Sequence, residues 1–203
     1  ARDNGSFGLS TLRDRHVKGT GSDLRFSFKG KSGKEHSVPI RDRRLARLVK
    51  HVQELPGQEL FQYLDDEGLQ RDVTSADVNE YLQEVSGEPF TAKDFRTWAG
   101  TVLASLALSE LASFDSQAAA KRNLTRAIEQ VANQLGNTPA VCRKSYIHPE
   151  VLDAYLDGSL LQFLKGQVEE ALRDRIGGHS PEEAAVLAFL QQRLTREVAR
   201  RKA

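Results

Sequence analysis

Two cations and one tyrosine carry whatever chemistry this sequence has: Lys31, Arg96 and Tyr146. Lys31 stands in "FKGKSGKEH", at the tip of a glycine-flanked turn that needs no charge. Such a lysine is ordinarily a solvated surface group. Arg96 stands in "TAKDFRTWAGT", in the second turn of what reads as the most apolar helix of the chain. A guanidinium there needs a partner, either an acid such as Asp94 or Asp77 or a phosphate. Tyr146, in "NTPAVCRKSYIHP", follows Arg143 by three residues and Lys144 by two. Taken alone it reads as half-buried packing with a wet hydroxyl. The chemistry open to these types is anion binding by the two cations, beside the plain alternatives of an ion pair and a packed ring.

Other chemistries lack their patterns. The histidines (16, 36, 51, 148, 179) and Cys142 have no metal-ligand spacing, and no HExxH, CxxC or EF-hand sequence occurs. "GKSGKE" lacks the GxxxxGK[ST] spacing of a phosphate-binding loop and leads into a strand, so ATP use is not supported. Neither a metal nor an organic cofactor is expected.

The elements that must position the three residues follow from periodicity. Leu24, Phe26 and Phe28 alternate with Arg25, Ser27 and Lys29, and Val38 and Ile40 resume the pattern, so residues 23–40 read as a hairpin. His16-Val17-Lys18 is a candidate third strand. From Arg41 the period becomes helical, with Leu45, Leu48, Val49 and Val52 ahead of Pro56-Gly57. Residues 58–73 read as a connector with an acidic turn at 65–68. Thr74 or Ser75 then caps a helix with Val78, Tyr81, Leu82 and Val85, closed by Gly87. Thr91 and Asp94 resemble a capping box opening the apolar helix, and another helix ends at Gly136. Thr138-Pro139 and His148-Pro149 start two short helices, and Ser180-Pro181 starts the last one, after "SLLQFLKGQVEEALRDR" and Gly177-Gly178. The fold class is α+β, mainly α: a small sheet over residues 1–40 and a helical body over 41–203.

Charge is split along the chain. Residues 13–50 hold twelve Lys or Arg against four Asp or Glu, a local charge of +8 in a chain of net charge +1, so the remainder carries −7. A one-sided basic front suits a polyanion, because counterion release rewards local charge. A solvated strand-and-helix surface is the other reading. No run of eighteen apolar residues and no signal peptide is present. With one cysteine, a reducing cytoplasm is the expected compartment. A chain without methionine that starts at Ala1 is expected to lack an upstream part.

Four segments in order, "GLSTLRDRHV", "FKGKSGKEH", "KDFRTWAGT" and "GNTPAVCRKSY", resemble the signature segments of the small, poxvirus-like bacterial type IB DNA topoisomerases. The resemblance covers most of residues 5–150. It implies a helical catalytic domain of the DNA breaking-rejoining type, over residues 1–203, with a small N-terminal hairpin sheet. It also implies relaxation of supercoiled double-stranded DNA through a 3′-phosphotyrosyl intermediate, without ATP or a required metal, by a cytoplasmic, nucleoid-associated monomer. Carried over residue by residue, Tyr146 is the nucleophile, Lys31 the general acid and Arg96 the stabiliser of the transition state. Asn137 stands where the viral relatives have histidine, and its amide can donate to an oxyanion without being a cation or an acid. Lys29, Lys34, Lys93 and Arg143 are expected to bind DNA. Lys29 and Lys34 are as basic as Lys31 and adjacent to it, so the motif, not the physics, selects Lys31.

The family's other arginine lies just upstream of the segment resembling "RDNGSFGL", and Arg2 is too near to be it. The expectation is a chain without that arginine and without the N-terminal domain that closes over DNA, able to bind DNA yet impaired in cleavage. Nine residues of straight helix between Asn137 and Tyr146 would span about 13 Å, so a break, a bend or a segment that orders on DNA is expected there. Two alternatives stand beside this reading: a tyrosine recombinase, although Lys93 replaces the histidine of its box, and a non-catalytic DNA-binding module.

Overall fold

The computed structural model describes residues 5–111, 114–164 and 180–202, with the side chains of Ser32 and of 197–202 left aside. Arg2 and His179, Gly177-Gly178, and most of "SLLQFLKGQVEEALRDR" lie outside the described residues. The chain divides into two compact units, Ala1–Ala92 and Lys93–Ala203.

The first unit is built on an antiparallel sheet, β1 (Val17–Thr20), β2 (Asp23–Lys29) and β3 (Glu35–Arg41), in that order. Alternation decides its faces. Leu24 and Phe26 are buried while Asp23, Arg25, Ser27 and Lys29 are exposed. Register places Phe26 between Val17 and Val38, and Phe28 opposite His36, on which it stacks at 5.1 Å. The third strand thus exists, shifted to start at Val17. The helix α1 (Arg43–Val52) starts on Asp42, whose carboxylate accepts from Leu45 N–H at 2.8 Å. It packs Ala46 and Val49 with Leu12, Val17, Leu24, Phe26 and Leu60 into one core. So α1 belongs with the sheet, its apolar stripe covering the buried face of β2 together with Leu12 and Leu60. Leu48 is 57% exposed, outside that stripe.

Residues 58–73 are not a plain connector: β4 (Gln62–Leu64) and β5 (Gln70–Asp72) pair antiparallel. The carboxylate of Asp65 organises their turn, accepting from Leu69 N–H at 2.8 Å and Glu67 N–H at 3.1 Å and pairing with Arg71 Nε at 2.9 Å. Those bonds hold the Asp65 carboxyl below its usual pKa, the arginine first among them. Helix α2 (Ser75–Ser86) is capped by Thr74 in a full capping box with Asp77.

His16 gives this unit a pH dependence. It is buried, and its Nδ1 accepts from Arg13 N–H at 2.9 Å, which requires the neutral ring. Burial, with Arg15 and Arg13 adding to it, holds its pKa below the ordinary 6.5. A histidine whose folded pKa is depressed supports folding above the unfolded pKa and loses that support as pH falls below it. Asp14 is shifted the other way, its carboxyl raised above 3.8 by burial and Glu59, so its contribution opposes that of His16 and favours the fold as pH falls. We expect a lower melting temperature at about pH 5.5 than at about pH 7.5, and a weaker pH dependence in His16→Gln, read by thermal denaturation of both proteins.

The second unit is helical: α3 (Ala92–Glu110), α4 (Gln117–Leu135), α5 (Pro139–Ser145), α6 (Pro149–Leu156), a helical stretch at 159–164, and α7 (Pro181–Lys202). Its core joins Ala104, Leu108, Leu124, Ile128, Val131, Val151, Tyr155, Leu160 and Phe189. The apolar helix α3 is central from Gly100 to Leu108, while its first turns are exposed. Ser180 and Glu183 cap α7 reciprocally, each backbone N–H meeting the other's side chain at 3.2 Å. Polar ties fasten α7 to the rest of the unit: Trp98 Nε1 donates to Glu183 at 3.3 Å, and Arg193 reaches Glu150 at 2.8 Å and Asp157 at 3.5 Å. No helix among the described residues is long and apolar enough to cross a membrane.

Candidate active site

The end of α4 sets the geometry. The last carbonyls of a helix have no intrahelical partner. Gly136 turns into the left-handed region (φ 69), and its N–H and that of Asn137 fold back on Ala132 and Asn133. Leu135 O is therefore left pointing out of the helix end, where two side chains meet it. Arg96 Nη2 donates to it at 2.9 Å, and Asn137 Nδ2 donates to it at 3.1 Å. One main-chain oxygen thus brings a guanidinium and a carboxamide side by side. Each keeps further N–H groups unspent on that oxygen, because arginine has five and asparagine two.

Tyr146 arrives from the other direction. Thr138 caps α5 by accepting from Val141 N–H at 3.3 Å, and Pro139 fills the first helical position. The helix stops after seven residues. Tyr146 is its C-cap, with φ −131 and ψ −4, and the N–H groups of Tyr146 and Ile147 both close on Cys142 O, at 3.0 and 3.1 Å. His148 is extended, as a residue before proline must be, and caps α6 through Nδ1. Asn137 and Tyr146 therefore lie just outside opposite ends of one short helix, with no unbroken helix running through both. Arg96 bridges the interval: the guanidinium that touches Leu135 O also lies 5.5 Å from the centroid of the half-buried Tyr146 ring.

Among the tyrosines, the alternative in this unit is Tyr155. It is fully buried, and its hydroxyl accepts from Asn123 Nδ2 at 2.8 Å, so it is a core residue. The second unit brings Arg96, Asn137 and Tyr146 together; Lys93 and Arg143 are exposed in the same unit, on the first turn of α3 and on α5. Lys31, Lys29 and Lys34 belong to the first unit. Lys31 opens a 3₁₀ turn, Lys31–Gly33, and is exposed, as are its two neighbours in the lysine set. The loop is closed by Gly30 N–H donating to Lys34 O at 2.7 Å, with Gly33 at φ 74. Among the described residues no group of three or more His, Cys, Asp or Glu is placed to share a metal ion.

Sequence reasoning missed the residues beneath the tyrosine. Thr97, Gly100 and Thr101 share with Arg96 the side of α3 that meets the 145–148 segment: Thr97 Oγ1 lies 3.4 Å from Ser145 O and Thr101 Oγ1 accepts from His148 N–H at 3.1 Å. The available signal was Gly100 itself. A glycine inside an apolar helix costs about 1 kcal/mol relative to alanine and asks for a packing reason.

The family described as "Eukaryotic DNA topoisomerase I, catalytic core" matches residues 1–173. DNA topoisomerase 1B of Acanthamoeba polyphaga mimivirus is 36% identical over 162 residues, which is 76% of this chain and 48% of that protein. The chain spans about half the length of this curated relative. On the strength of both matches, the chain belongs to the DNA topoisomerase I catalytic-core family.

Proposed function

We propose that this chain carries the catalytic centre of a type IB topoisomerase that relaxes supercoiled double-stranded DNA without ATP. The Tyr146 oxygen attacks a backbone phosphorus and gives up its proton to solvent; the bond to the 5′ oxygen breaks, and Lys31 protonates that oxygen as it leaves. A 3′-phosphotyrosyl ester and a free 5′-hydroxyl result. The strand swivels, and the reverse attack by the 5′-hydroxyl reseals it, returning the proton to Lys31. Arg96 and Asn137 donate to the non-bridging oxygens, whose negative charge grows in the crowded transition state. Lys29, Lys34, Lys93 and Arg143 bind the phosphate backbone around the break.

The observation that carries this reading is the Arg96 guanidinium, which meets both the Tyr146 ring and the carbonyl that Asn137 also touches. A packing tyrosine has no need of an arginine and an asparagine amide gathered at one oxygen beside it. The ties of α7 to Trp98, Glu150 and Asp157 favour a topoisomerase over a recombinase, because this C-terminal helix is engaged within its own unit.

The test is relaxation of supercoiled plasmid in EDTA without ATP, with the covalent adduct trapped by denaturing detergent. Absence of both relaxation and adduct in a protein that still binds DNA would overturn the proposal. Arg96→Ala is expected to slow cleavage by about 10²- to 10³-fold, the usual loss for one oxyanion donor. Arg96→Lys recovers only part of that, because an ammonium cannot hold Leu135 O and fork onto a phosphate at once.

A further inference from the structure

Tyr146 is carried by a segment whose backbone lies directly on α3, and the contact has no room to spare. A Cβ added at Gly100 would stand 2.4 Å from Tyr146 O and 3.2 Å from both its carbonyl carbon and its Cβ. The first of these is against a backbone oxygen, so no side chain can swing aside to relieve it. One residue further on, Thr101 Oγ1 donates to Thr97 O at 2.8 Å, which fixes the hydroxyl, and accepts from His148 N–H at 3.1 Å. Thr101 is buried. One turn earlier, Thr97 Oγ1 stands at 3.0 Å from Lys93 O and 3.4 Å from Ser145 O. Contacts to α3 therefore flank Tyr146 on both sides in sequence, at 145 and 148, with Gly100 under the residue itself. Tyr146 needs this support, since it sits past the last turn of α5 in a conformation outside the helical region.

We propose that Gly100 and Thr101, assisted by Thr97, form a seat on α3 that fixes the backbone of Tyr146 and thereby the line of attack of its oxygen. They are positioning residues and touch no substrate. The inference rests on Tyr146 being the nucleophile, as proposed above. In this seat the same helix supplies Arg96 and the platform for Tyr146, so one element sets the spacing of cation and phenol.

The consequence is specific to the attacking side of the reaction. Adding a methyl at Gly100 must shift the Tyr146 carbonyl by roughly 1 Å to reach ordinary contact, and a displacement of that size costs on the order of 10²-fold in rate. The experiment measures single-turnover adduct formation by the native chain, Gly100→Ala, Thr101→Val and Thr101→Ser. Two DNA substrates are used, one with the ordinary 5′ oxygen and one with a sulfur in its place at the scissile bond. Sulfur leaves without a proton, so it relieves a defect in leaving-group protonation and leaves a defect in nucleophile placement untouched. We expect Gly100→Ala to be slower by about 10²-fold and Thr101→Val by about 10-fold on both substrates, with DNA affinity close to native and melting temperatures moderately lowered by the displaced carbonyl and the unpaired buried N–H, and Thr101→Ser to recover the rate because it keeps the hydroxyl. Native rates in both Gly100→Ala and Thr101→Val would overturn the seat while leaving Tyr146 as nucleophile. Recovery on the sulfur substrate would overturn it as well. If Gly100→Ala does not fold, the Val and Ser variants of Thr101 decide alone, equal rates in the two counting against the seat. No adduct from the native chain on either substrate would overturn the parent reading and the seat with it.

Discussion

Tyr146→Phe is expected to abolish the covalent adduct and plasmid relaxation, lowering cleavage by at least about 10⁴-fold, while DNA affinity and thermal stability stay at native values. The size of the loss follows from removing the attacking atom, a class of change that costs several orders of magnitude. The sparing of affinity follows from what the substitution keeps. Phenylalanine retains the ring that lies 5.5 Å from Arg96 and the backbone that closes on Cys142 O. Arg96 and Asn137 keep their bonds to Leu135 O, so the side of the site proposed to bind the phosphate is untouched. Tyr155 cannot substitute as nucleophile, buried as it is with its hydroxyl held by Asn123. Adduct formation and filter binding on the same preparation read both halves of the expectation. Cleavage at a native rate would mean that another group attacks.

Lys31→Ala is expected to lower cleavage by about 10²- to 10⁴-fold, the range of a lost general acid. The defect should shrink on a substrate with sulfur at the 5′ leaving position, where no proton is needed. Lys31→Arg should not restore the rate on the ordinary substrate, because a guanidinium holds its proton too tightly to give it up. Lys29→Ala and Lys34→Ala provide the comparison. As phosphate contacts, each should weaken DNA binding and lower its salt dependence by about one counterion, with cleavage at saturating DNA little changed. A full defect of Lys31→Ala on the sulfur substrate would reduce Lys31 to a binding role, and a larger chemical defect in Lys29 or Lys34 would transfer the acid role to that residue.

What could be read from the sequence was local. Alternation over 23–40 gave the hairpin because one face of β2 is buried and the other solvated, and Thr74, Thr138 and Ser180 marked helix starts because a cap is a contact within three residues. The β4–β5 pair was missed because its turn is organised by the Asp65 carboxylate, leaving no apolar alternation to count. Periodicity also misled where it was sound: Tyr81 and Val85 lie at helical spacing on α2, yet they are 63% and 64% exposed, since a pattern names a face without naming what covers it. At the site, Arg96 and Tyr146 stood out by residue type. Asn137 entered by family resemblance alone, and the oxygen that unites it with Arg96 belongs to the main chain, where no residue type announces it.

That oxygen has an evolutionary consequence. Leu135 contributes only its carbonyl to the joint between Arg96 and Asn137, so any residue that lets α4 run to the same end inherits the contact intact. Mutational drift at position 135 among apolar side chains that keep its packing on the core is therefore harmless to the alignment of the two donors, and a heavier burden falls on Gly136, whose left-handed turn exposes the carbonyl. Lineages would be free to exchange one apolar letter for another at 135 and bound to keep the bend that follows it.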